Sequence, residues 1–102
     1  MPEKNWTIYL DDDAYILIFL QTNGPIVTGF AVVLVAMVDG QQVCVTRYDT
    51  AHGQAHRDVL GRKSGLIEKE WLVDLTFNEA FDYAINTIKR NYGNYIQDFL
   101  QD

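Results

Sequence analysis

The sequence predicts an α+β domain, an antiparallel β-sheet packed against one long C-terminal α-helix, and three observations carry that prediction. Runs rich in β-branched and aromatic residues follow one another between turn residues, Asp39-Gly40 joins two such runs, and apolar residues recur at helical spacing from Phe77 to Leu100. At 102 residues, 48% of them hydrophobic, the chain can fill one core, so a single domain over residues 1–102 is expected.

The first element is a strand, because Trp6, Ile8 and Leu10 alternate with Thr7 and Tyr9 until Asp11-Asp12-Asp13 interrupts the pattern with three charges. Ala14 to Leu20 and Phe30 to Val38 are the central strands, separated by the turn-forming Thr22-Asn23-Gly24-Pro25. Gln41 to Tyr48 then returns antiparallel through the Asp39-Gly40 hairpin. Gly61 to Gly65 reads as a loop, and Leu66 to Val73 as an edge strand guarded by Glu68, Lys69 and Glu70. The expected sheet is a meander of four to five strands.

Thr76 and Glu79 form a capping box that starts the helix at Phe77. A helix of that span runs about 36 Å, and Gly93 is a point where it could bend or end. The central strands are continuously apolar, which implies burial on both faces, yet one helix covers only one. A homodimer or a cognate partner protein is the expected cover for the second face; a strongly curled sheet is the alternative.

The net charge of -6 argues against non-specific attraction to nucleic acid or anionic lipid. No apolar run reaches the roughly 20 residues of a membrane helix, so no membrane association is expected. A single Cys44 and the polar residues after Met1 point to the cytoplasm. The only net-positive window is residues 47–63, with four bases against two acids, and it contains both histidines.

Within it, RYDTAHGQAHRD gathers Arg47, Tyr48, Asp49, His52, His56, Arg57 and Asp58, expected at the end of a strand and in the loop that follows. Three readings compete. Asp49, His52 and His56 could ligate zinc, manganese or iron, since imidazole and carboxylate suit those ions; Gly53 between the histidines argues against the helical geometry that usually brings such a pair together. Alternatively His52, His56, Asp49 and Arg57 act on a phosphodiester of RNA. A histidine there is general acid or base, Arg47 or Arg57 stabilises phosphoryl charge, and Tyr48, Arg47 and Asp58 bind. The third reading is structural: Asp49 caps the turn, Arg57 and Asp58 are a solvated pair, and the histidines satisfy loop carbonyls.

Other polar features read more simply. Asp11-Asp12-Asp13 is a solvated turn, because consecutive side chains of an extended chain point to alternate sides. Cys44 is a buried small hydrophobe. Trp71 is either a core ring or an interface anchor.

The segment from Gln41 into the helix, with RYDTAHGQAHRD, KEWL at Lys69 to Leu72 and Asn91-Tyr92, resembles a group of small bacterial and archaeal proteins. More distantly, Tyr48 to His52 is similar to the YDNA(H)-type segment of TumE-like toxins of toxin-antitoxin loci. That likeness implies a small translation-inhibiting protein, an RNA-cleaving one among the forms it could take, neutralised by an adjacent antitoxin, with Tyr48, Asp49 and His52 as the positions carried over. The competing expectation is a non-enzymatic dimeric binding or scaffold domain in which the same loop is structural.

Overall fold

The computed structural model describes residues 2–102. Six strands precede one helix: β1 Glu3–Asp11, β2 Ala14–Asn23, β3 Ile26–Val38, β4 Gln41–Asp49, β5 His56–Gly61, β6 Gly65–Trp71 and α1 Phe77–Leu100. All neighbours pair antiparallel in the order β1-β2-β3-β4-β5-β6, so the meander and the α+β class are as the sequence predicts. The strand count is corrected to six. His56–Gly61, read above with the loop, is a strand hydrogen-bonded between β4 and β6.

The β3–β4 turn follows from its two residues. Asp39 and Gly40 have φ of 52° and 79°, the left-handed pair that a two-residue hairpin matched to strand twist requires. At the helix start the Thr76 side chain accepts from the Glu79 N–H at 3.1 Å, and the Glu79 carboxylate accepts from the Thr76 N–H at 2.9 Å. The helix does not stop at Gly93. Tyr95, Ile96 and Phe99 beyond it pack against the sheet, and that burial outweighs the roughly 1 kcal/mol a helical glycine costs.

Cross-strand partners lie on the same sheet face, so the register sorts every strand residue. Trp6, Ile18, Val32, Tyr48 and Arg57 form one row on the helix-covered face, and Ile8, Ile16, Leu34, Thr46 and Val59 the next. Ala80, Ala84 and Ile88 of the helix are fully buried over this face, the two alanines letting the helix approach closely. Phe30 meets Phe77 and Phe81 edge-on, and Trp6 meets Phe81 in the same way.

The opposite face has no covering element among the described residues. Across it run Asn5, Phe19, Ala31, Asp49, His56 and Trp71 in one row, and Thr7, Leu17, Val33, Arg47, Asp58 and Lys69 in the next. β2 and β3 carry apolar residues on both faces, but the expected burial on both is not reached within one chain, since Phe19 and Met37 on this face are exposed.

Candidate functional site

The contiguous segment of the sequence is divided by strand alternation. Tyr48 and Arg57 point to the helix, whereas Arg47, Asp49, His56 and Asp58 share the open face. Tyr48 is buried and its hydroxyl lies 3.0 Å from that of Tyr95. Burial, then the bond to Tyr95, pushes the phenol far above its usual range. Arg57 stacks 4.3 Å over the Tyr95 ring, donates to Thr46 Oγ1 at 2.9 Å and to Glu70 at 3.0 Å. Arg57 and Asp58 are therefore not a solvated pair; they face opposite sides of the sheet.

His52 separates from His56. It sits exposed in the single 3₁₀ turn Ala51–Gly53 with φ 66°, while Asp49 caps that turn by accepting from the Ala51 N–H at 3.0 Å. The Asx-type cap expected of Asp49 is present. The expectation that His52 joins Asp49 and His56 as a ligand is corrected: the third carboxylate or imidazole donor in the cluster belongs to Asp58, which β5 places one row from His56.

The cluster on the open face is ordered around His56. Its Nδ1 lies 3.0 Å from the Gln54 carbonyl, and a carbonyl only accepts, so Nδ1 carries a proton and donates. Nε2 faces Asp49 Oδ1 at 3.1 Å and Asp58 Oδ1 at 3.4 Å. The outer oxygens of both carboxylates belong to Arg47, whose Nε meets Asp49 Oδ2 at 3.0 Å and whose Nη2 donates to Asp58 Oδ2 at 2.7 Å. Lys69 Nζ completes the group, 2.7 Å from Asp58 Oδ1 and 3.4 Å from His56 Nε2. The Trp71 ring flanks His56 at 5.1 Å.

Burial grades this cluster from inside to outside. His56 and Asp58 are each 1% exposed, whereas the side chains of Arg47 and Lys69 are 46% and 33% exposed. Burial alone would raise the Asp58 carboxyl, but the hydrogen bonds from Lys69 and Arg47 prevail and hold it below the ordinary carboxylate value. The bond to Asp58 raises the Arg47 guanidinium in turn. Cys44, expected to be buried, is half-buried; that burial pushes its thiol up against the opposing pull of Arg47, which disfavours the thiolate.

Sequence reasoning missed Lys69 and Trp71 as members of this group, having assigned them to an edge strand. The signal was there in the complementary charges Arg47/Asp58 and Asp58/Lys69, which an antiparallel register sets directly opposite one another.

Beside the cluster, the open face holds a hollow of about 320 Å³ bordered by Glu3, Asn5, Phe19, Gln21, Gly29 and Thr50. A Cβ on Gly29 would lie 3.0 Å from Gln21 Oε1 and 3.4 Å from Thr50 Oγ1, so a larger residue there would crowd the rim of the hollow. No helix among the described residues is long and apolar enough to cross a membrane.

Neither the curated proteins nor the solved structures contain a match to this chain. Over residues 1–102 it matches the model of DUF7718, a domain of unknown function, and it belongs to that family.

Proposed function

We propose that the domain is a non-enzymatic interaction module that pairs with a second copy of itself through the open face of its sheet. The observation that carries this reading is the exposure of large apolar side chains on that face: Tyr9, Phe19 (45% exposed), Met37 and Trp71 (49% exposed). Six strands at about 4.8 Å spacing and about 30 Å length present roughly 700 Å², close to the ~800 Å² that each partner contributes to an interface of standard size.

Charge favours a copy of this chain as the occupant. The protein carries -6 overall, so two copies repel over most of their surfaces. On the β4–β6 side of the open face Arg47 and Lys69 balance Asp49 and Asp58, so this polar part of the face is electrically neutral and two copies meet there without that penalty. The polar cluster supplies rigidity in this reading: its two acids are turned inward and held by Arg47 and Lys69, and His56 is fixed by the Gln54 carbonyl. A reducing, cytoplasmic setting suits the lone Cys44.

Sedimentation or light scattering of the purified protein tests the pairing. A dimer that Phe19→Glu converts to a folded monomer supports it; a wild-type monomer across the accessible concentration range refutes it, and a stable complex only with a different protein refutes the second copy.

A second reading, an RNA-cleaving or translation-inhibiting protein of toxin-antitoxin type, is favoured by one observation, the convergence of His56, Asp49, Asp58 and Arg47 on one surface. Growth arrest or RNA cleavage on expression, lost in a folded His56→Gln variant, supports that reading; unchanged growth and intact RNA in both reject it.

A further inference from the structure

The lone pairs on the open face converge on one point. With Nδ1 donating to the Gln54 carbonyl, His56 turns its Nε2 toward Asp49 Oδ1 and Asp58 Oδ1, three atoms that a proton on Nε2, the Lys69 ammonium or a metal ion can bridge. We infer that Asp49, His56 and Asp58 form a binding site for a divalent first-row transition-metal ion, zinc above all, with the Lys69 ammonium as the competing cation.

Three features of the geometry support this. The three donor atoms lie within 4.8 Å of one another, and the two separations from Nε2 are 3.1 and 3.4 Å. Donors about 2.0–2.1 Å from a tetrahedral zinc ion stand roughly 3.3 Å apart, so little movement is needed to close around the metal. The supporting bonds are also in place: the backbone carbonyl fixes the tautomer and orientation of His56, and Arg47 grips the outer oxygen of each carboxylate so that the inner oxygens face the same point. Finally, the donor set of one nitrogen and two carboxylate oxygens suits zinc, manganese or iron rather than a soft, thiolate-loving ion.

Lys69 lies on the edge strand β6 with a third of its side chain in solvent, so it can leave the cluster without disturbing the core. Its departure exposes Asp58 Oδ1 and opens a fourth position to water. The ion then replaces one ammonium charge with two, offsetting both carboxylates. The site belongs to one chain and does not depend on pairing with a second copy.

The test is a titration of tag-free, chelator-treated protein with zinc, manganese and iron(II), read by calorimetry and by the His56 ring signals in NMR. Expected are one equivalent bound, a melting temperature that rises with metal, binding weakened by about tenfold or more in Asp49→Asn, and binding tightened in Lys69→Met, which removes the rival cation. The inference is overturned if the wild type binds no metal stoichiometrically, or if Asp49→Asn binds as well as the wild type. Binding by Lys69→Met alone also overturns it, because the ammonium is then the permanent cation of the native cluster.

Discussion

The two faces of the sheet use the same strands and opposite chemistry. Under the helix, Ile16, Ile18, Val32, Leu34 and Ile88 are removed from water altogether, and stability comes from apolar burial and close packing. On the open face Asp58 and His56 are just as buried, but they are held by an ion network whose outer members, Arg47 and Lys69, meet solvent. The lesson is that a segment contiguous in sequence is not contiguous in space. Arg47 and Asp49 lie on one side of β4 and Tyr48 on the other, so the segment supplies a core anchor and a polar cluster at once.

The comparison can be broken in five ways, beginning with the covered face. Ile88→Ala removes a fully buried side chain beneath the helix and should cost about 2–5 kcal/mol in denaturant unfolding; a smaller loss would mean the helix is not what holds the sheet. On the open face, Asp58→Ala deprives Arg47 and Lys69 of their shared acceptor and should cost about 1.5–3 kcal/mol, the range for hydrogen bonds to charged groups.

Acid sharpens the same contrast. Because the folded-state carboxyl of Asp58 lies below its ordinary value, its contribution is complete above about pH 4 and is lost as pH falls through the depressed folded value. The wild-type melting temperature should therefore drop more steeply below pH 4 than that of Asp58→Asn; parallel curves would remove Asp58 from the account of acid sensitivity. Tyr48→Phe, which loses only the contact with Tyr95, should cost about 1 kcal/mol by thermal melting. Least of all, His52→Asn keeps a residue tolerant of left-handed backbone in an exposed turn and should stay within about 0.5 kcal/mol of the wild type.

Much of the fold was legible because the relevant signals are local. Asp39-Gly40, the capping box of Thr76 and Glu79, and the alternation of Trp6, Ile8 and Leu10 each depend on residues a few positions apart. β5 was hidden for a different reason. Its period-2 pattern places His56 and Asp58 inward on the open face, so a strand whose buried side carries polar residues does not look like one. The cluster was partly hidden for the same kind of reason: Arg47, Asp49, His56 and Asp58 are near one another in sequence and share one face, but Lys69 comes from a hairpin partner whose register no local pattern specifies. His52 was included because it is near in sequence, and the left-handed turn at residues 51–53 carries it away.

One contact at the far end of the chain has mechanical meaning. The Asp102 carboxylate accepts from the N–H groups of Lys63 and Ser64 at 2.8 and 2.7 Å and from the Ser64 hydroxyl at 3.0 Å, over a Gly61 whose bare Cα leaves it room. A pull applied at this residue is thus carried into the β5–β6 turn before the last helical turn unwinds. In an optical trap, Asp102→Ala should let the helix peel from its C-terminal end at lower force, while loading from the opposite terminus is unaffected.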